Sequence, residues 1–160
     1  MKIKTGLIKM MNVVMNRLLR SPLHKIMSGH VMAIEYKGHK SGQIYSMPAA
    51  YFINDGYIYC FIDGDWWRNF LMGQNVNLLI HRNKIAAFAQ AMKDDKDEFI
   101  RVFGLKLEAH PGEARFYKIG FDENKKPKQA DLERLSEVSV MVKFMPDDKL
   151  GLNTERISEG

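Results

Sequence analysis

Cysteine is almost missing from this chain: Cys60 stands alone among 160 residues. No internal disulfide can form, which fits a reducing, cytoplasmic compartment. Cys60 lies in the run Tyr57-Ile58-Tyr59-Cys60-Phe61-Ile62, where a thiol reads as a small buried hydrophobe rather than a nucleophile. Long apolar runs are missing too. None approaches the roughly 18 residues of a membrane span. The N-terminus has no apolar segment followed by a small-residue cleavage site, so the chain is expected to be neither secreted nor membrane-spanning. The five histidines are scattered, with no short-spaced pair and no cysteine pair beside them, so no metal site is expected. No Ser-His-Asp order is legible, because such triads are defined by geometry. Acid is absent from the first 34 residues, which hold six lysines or arginines.

What is present describes one domain. A chain of about 150 residues buries roughly 68–70% of its unfolded surface, enough for an independent core. Net charge is +5 and the sequence pI is about 9.3, which suits an anionic partner such as a nucleotide cofactor, nucleic acid or acidic lipid. Residues 6–20 read as a basic amphipathic helix, which either packs its Leu7, Met11, Val14 and Leu18 stripe on the core or lies on an anionic membrane. Residues 31–37 and 44–53 read as strands, with Pro48 marking an edge or a bulge. Asn54-Asp55-Gly56 signals a tight hairpin into a strand over 57–62. A short helix is expected from Trp66 to Met72, capped by Asp65. A hairpin of residues 76–82 and 84–92 turns at Asn83, its second strand alanine-rich as if packed beneath another element. Asp94 caps a helix to 107, and Asp94, Asp95, Asp97 and Glu98 read as its solvated N-terminus. A second helix spans 112–119, stopped by Gly120. Residues 130–137 make one or two further turns, and 138–144 alternate as a half-buried strand. The fold class is α+β: a small antiparallel barrel of five to six strands with an N-terminal helix and peripheral helices. Its segments are a basic N-terminal stretch (1–30), strands and a central loop (31–92), helices and a final strand (93–146), and a polar tail (147–160).

Two stretches carry candidate chemistry. The first is Gly38-His39-Lys40-Ser41-Gly42-Gln43, continuing to Tyr45 and Pro48. Two glycines bracket a lysine and a hydroxyl. Such a turn can aim successive amides into a concavity that favours an anion, with Lys40 adding charge and Ser41 and Gln43 hydrogen bonds. It reads equally as a soluble hairpin loop, and it is not a P-loop, since the spacing differs and no helix follows. The second is Trp66-Trp67-Arg68-Asn69. At helical spacing Trp66 would share a face with Phe70, and Trp67 with Leu71. One tryptophan is expected in the core; the other either packs as well or covers a flat ligand ring. Arg68 can fork onto an anion.

In order and spacing, Arg20-Ser21-Pro22-Leu23-His24, the Gly38–Gln43 loop with Pro48, Asp55-Gly56 and Trp66-Trp67-Arg68-Asn69 resemble the deazaflavin-dependent nitroreductase family. That family belongs to the split β-barrel flavin-binding superfamily with the pyridoxamine-phosphate-oxidase-like proteins. The resemblance covers residues 16–92. It implies a split β-barrel holding F420 or FMN, with Lys40, Ser41 and Gln43 at the cofactor phosphate, Trp66, Trp67, Arg68 and Asn69 bordering the groove, and His39, Gly42, Tyr45 and Pro48 among the cofactor-binding positions. It implies hydride transfer to a quinone, nitro compound or similar acceptor, and a homodimer by analogy. In such enzymes the cofactor carries the redox chemistry, so no catalytic side chain is assigned. The chain departs from the pattern where the family's arginines stand: His39 and Tyr45 replace them. F420, with a phosphodiester and a polyglutamate tail, rewards more cations than FMN.

Three functions follow as expectations. The first is a flavin- or deazaflavin-dependent oxidoreductase. The second is a carrier of the same fold that binds the cofactor without turnover. The third is a binder of nucleic acid or an anionic membrane surface. Nucleic acid is not the expected partner, because aromatic and basic residues do not interleave as in a single-strand groove.

Overall fold

A computed structural model of the chain describes residues 30–148. The basic N-terminal helix, its membrane contact, the Arg20–His24 motif and most of the polar tail lie outside the described residues. The elements run β1 (Val31–Lys37), β2 (Ile44–Ala50), β3 (Phe52–Asn54), β4 (Tyr57–Ile62), a first 3-10 helix (Trp66–Phe70), β5 (Gln74–Ile80), β6 (Asn83–Ala91), α1 (Lys96–Ala109), a second 3-10 helix (Pro111–Tyr117), α2 (Gln129–Val138) and β7 (Val140–Pro146). The class is α+β. All seven strands form one antiparallel sheet in the order β2-β1-β5-β6-β7-β4-β3.

That order contains the key to the shape. β2 and β3 form opposite edges of the sheet, yet only Tyr51 separates them in the chain. The sheet must therefore curl until its edges meet. Residues 44–53, expected as one strand, are split because Tyr51 leaves both ladders: its N–H donates to the carbonyl of His30 at 2.9 Å. The strand count is thus seven rather than five to six. Pro48 sits on the edge strand β2, where a missing donor costs no ladder bond.

Alternation sends Met32, Ile34 and Tyr36 of β1 into the curl, where they meet Val76, Leu78 and Ile80 of β5 and Phe144 of β7. Ala87, Ala89 and Ala91 of β6 are buried there as well. Their small side chains leave room for Trp67 and Phe70, so the alanine-rich strand does pack beneath another element, the first 3-10 helix. The opposite face of β4 and β7 (Tyr59, Phe61 and Met141) is covered by Phe99, Val102 and Phe103 of α1 and Leu132 of α2. This second layer corrects the half-buried reading of the last strand. Met141 is fully buried, and Val138, expected in the strand, ends α2 and is exposed.

Other boundaries move for local reasons. The β5–β6 turn falls at His81 and Arg82, both at positive φ, not at Asn83. Asp95, rather than Asp94, caps α1 by accepting from the Glu98 N–H at 3.1 Å. The second short helix is 3-10 and ends at Lys118 in the left-handed region, ahead of Gly120. Among the described residues no helix is long and apolar enough to cross a membrane, and no group of three or more side chains could hold a metal ion.

A histidine pair joins the sheet to the helices. His30 packs edge-on against His110 at 5.0 Å between ring centroids. Burial, then the nearby His110, holds His30 below its ordinary 6.5, with Lys106 and His81 adding to the depression and Glu113 opposing it. A histidine depressed in the folded state contributes stability above the unfolded value, and that stability is lost as pH falls through the folded one. The melting temperature should therefore decline between pH 7.5 and pH 5, and His30→Gln should flatten the decline. An identical slope in wild type and variant would contradict this.

Candidate functional site

The curled sheet is not zipped shut. At Phe52↔Tyr59 the edge strand β3 pairs with β4. Beyond that point, residues 48–50 of β2 and 60–62 of β4 diverge like the prongs of a fork. The side chain of Cys60 donates to the carbonyl of Ala50 at 3.1 Å across the gap. Burial pushes the Cys60 thiol far up, so it stays protonated and structural. Between the prongs lies a cleft of about 220 Å³, closed on its sides by Val31, Trp66 and Tyr117 and bordered by Asp63. Whole drug-sized ligands occupy roughly 300–1,000 Å³, so this cleft takes one end of such a molecule.

The Gly38 loop and the Trp66 segment, 30 residues apart, are locked together by two amide side chains. Asn69 Oδ1 accepts from the His39 backbone N–H at 3.0 Å and lies 2.8 Å from His39 Nδ1. Its Nδ2 donates to the Trp66 carbonyl at 2.7 Å. That bond orients the amide, so Nδ1 of His39 is the protonated ring nitrogen. Gln74 completes the tie. Its Oε1 accepts from Lys37 N–H, and its Nε2 donates to the carbonyls of Lys37 and Asn69, all within 2.7–2.9 Å. Tyr36 stacks between Tyr45 at 5.8 Å and Trp66 at 6.3 Å, so a ladder of rings leads from the loop to the cleft.

Inside the loop most polar groups satisfy one another. Gly38 N–H donates to Gln43 O, and Gly42 N–H to Gly38 O. Ser41 Oγ accepts from Gln43 N–H and shares a 2.8 Å hydrogen bond with Tyr45 Oη. Gly42 holds φ +66°, the conformation the turn requires. Of the loop amides, those of Lys40 and Ser41 have no partner among the described residues, nor does the Lys40 ammonium. An anion here would meet two backbone donors and Lys40, with the Lys37 side chain alongside Gly42.

Within the second stretch the two tryptophans separate. Trp67 is buried and Trp66 lines the cleft. The expected helical pairing of Trp67 with Leu71 is replaced by a 3-10 register, in which Trp67 and Phe70 share the inward face and Leu71 is exposed. Arg68 lies over the Trp67 ring at 4.9 Å and 3.5 Å from Asp65. Sequence reading missed Tyr36, Lys37, Asp63, Gln74 and Tyr117. The inward alternation of β1 could have flagged Tyr36. Tyr117 arrives from the second 3-10 helix, and no spacing announces it.

No protein-family model matches the chain, and no curated protein matches it. Solved structures similar to it include a candidate pyridoxamine 5′-phosphate oxidase from Listeria innocua (12% identity, 79% of this chain and 91% of that one, TM-score 0.48). An FAD-binding protein from Mesorhizobium loti is similar at 16% identity (80% and 91%, TM-score 0.44). A candidate 5-nitroimidazole antibiotic resistance protein from Bacteroides thetaiotaomicron is similar at 11% identity (77% and 76%, TM-score 0.48).

Proposed function

We propose that the chain is a flavin-type oxidoreductase that holds the cofactor ring in the fork cleft beside Trp66 and its phosphate at Lys40. The observation that carries this reading is the Asn69–Gln74 tie, which fixes the loop and the cleft wall as one unit. Apart from Asp63 and Tyr117 the side chains that line the cleft are apolar, backbone polar groups supply much of the remaining surface, and its size suits a ring system with the tail outside. The loop, with two amides and two lysines, suits a single phosphate. That favours FMN over F420, whose diester and polyglutamate tail would ask for more cations. When bound and reduced, the ring system supplies the hydride for a quinone, nitro or similar acceptor. The chain's own residues bind and orient. Trp66 covers one side, the prongs exclude water, and Lys40 neutralises the phosphate. A homodimer belongs to the reading as well: it would cover the hollow of about 170 Å³ on the outer sheet face by Ala33, Asn77 and Leu79.

A second reading, a carrier without turnover, is favoured by His39 and Tyr45 standing where the family's arginines stand. Burial, with Glu113 and Asp63 nearby, pushes the Tyr117 phenol up to about 12, so it stays protonated at neutral pH.

The test is a titration of the full chain with FMN and with F420, followed by tryptophan fluorescence. FMN should bind, and Lys40→Ala should weaken it about tenfold without lowering the melting temperature. Binding of F420 alone would overturn the cofactor choice; binding of neither would overturn the reading. Turnover of a quinone with reduced cofactor decides between enzyme and carrier.

A further inference from the structure

We infer that the Trp66 and Asp63 end of the fork cleft is a polarity-selective subsite: it takes an uncharged ring edge that carries a hydrogen-bond acceptor, and it turns anionic groups away. The inference rests on the proposed flavin-type reading for the kind of molecule that enters, and it adds which end enters and which groups are turned away.

Three observations meet here. First, Asp63 is the one charged residue in the cleft lining; the rest is apolar or neutral. Asp63 is exposed at the border of the cleft, so it sets a negative potential at the entrance to the space between the prongs, strongest at low ionic strength. The cations Lys37, Lys40 and Arg68 belong to the loop and the first 3-10 helix, and none of them lines the cleft. Second, Tyr117 lines the cleft opposite the β2 prong, and its hydroxyl has no hydrogen-bond partner among the described residues. Its ring is fixed edge-on against Phe103 at 5.0 Å, with the Lys106 ammonium over its face at 5.6 Å. The hydroxyl is thus held in place without being used by the fold. The phenol keeps its proton at neutral pH, so it offers a donor and never a charge. Third, Trp66 supplies a flat apolar wall beside these two polar groups.

A donor that is fixed and unused, beside a fixed negative charge, selects for a carbonyl or ring nitrogen on a neutral planar molecule. A sulfonate or carboxylate placed there would face Asp63 with no cation in the lining, and the Lys106 ammonium over the Tyr117 ring is already paired with Glu113. A ligand with one ring end and one phosphate end can therefore enter in a single orientation, ring inward and phosphate to Lys40. A small neutral quinone can therefore probe the subsite without the cofactor, and its sulfonate can probe the charge.

The experiment compares binding of menadione, a neutral naphthoquinone, with 1,4-naphthoquinone-2-sulfonate, its anionic analogue. The full chain is used at low ionic strength, with tryptophan quenching as the signal and FMN titrated in parallel. Wild type should prefer the neutral quinone by about tenfold. Asp63→Asn should reduce that preference to about twofold by strengthening the sulfonate, not by weakening menadione. Tyr117→Phe keeps the ring packing and should weaken menadione by about three- to tenfold, leaving the charge preference unchanged. Matching circular dichroism and melting curves establish that both variants fold.

An unchanged preference in Asp63→Asn, or unchanged menadione affinity in Tyr117→Phe, would overturn the subsite. So would wild type that binds neither quinone. In each case the FMN titration shows whether the flavin-type reading falls as well or stands alone.

Discussion

Replacing Phe70 by alanine should lower stability by about 3–5 kcal/mol, the largest effect expected of any single truncation here. Phe70 is completely buried. Its ring contacts Tyr36 at 5.3 Å, Trp66 at 5.8 Å and Phe144 at 6.1 Å. It therefore pins the first 3-10 helix to β1 and β7 and holds the wall of the cleft. A helix of five residues has little stability of its own, so this packing is what keeps it formed. Phe70→Leu should cost much less, because it leaves a smaller void. Thermal unfolding by circular dichroism measures both. For a domain of this size, the alanine variant should melt about 10 °C lower or more. A drop below about 3 °C would mean the helix is held by its hydrogen bonds through Asn69 and Gln74 rather than by this ring.

Removing Glu113 should cost about as much by a different route. Lys106, on α1, is nearly buried and pairs with Glu113 of the second 3-10 helix, whose side chain is 15% exposed. Its ammonium lies over Phe103 and Tyr117 at 5.4 and 5.6 Å. Taking away one partner of a buried pair leaves an uncompensated charge in a low-dielectric site, a loss of about 3–5 kcal/mol. Taking away both is expected to be nearly neutral when the replacements pack well. Glu113→Ala should therefore be strongly destabilising, while Lys106→Met with Glu113→Leu should unfold at close to the wild-type urea concentration. If Glu113→Ala and the double variant fall equally, the pair is not the anchor of this segment. The consequence reaches the cleft, because the same segment carries Tyr117.

Much of the fold was legible in local pattern. β1 and β4 fall on the expected residues, since strict alternation and the Asp55-Gly56 turn leave one register. The break at Tyr51 was not legible. Residues 44–53 look like one continuous strand, and only the curl of the whole sheet forces the second half onto a different neighbour. Burial of Met141 was hidden for a similar reason: alternation reports one apolar face, and most of the cover on the other comes from α1, more than 30 residues away along the chain. At the candidate site, glycine and tryptophan spacing pointed to two stretches that the structure ties together. It did not show that Ser41 and Gly38 are engaged within their own loop, nor that Gln74 ties that loop to Asn69. Hydrogen bonds between distant segments leave no periodicity to read.

The single residue between β2 and β3 also sets how the cleft can move. Ala50 and Phe52 are two residues apart, so the sheet edges can never part there by more than about 7 Å. Away from Tyr51 no ladder bonds residues 48–50 to 60–62. The opening is a wedge with its apex tethered by the main chain, and any widening is an angular motion about Tyr51 rather than a separation. A guest that spreads the prongs must do its work far from the apex, at the Trp66 and Asp63 end, where leverage is greatest. The backbone amides of Ala49 and Ala50 should then report occupancy through their hydrogen-exchange rates, while those next to Phe52 stay unchanged.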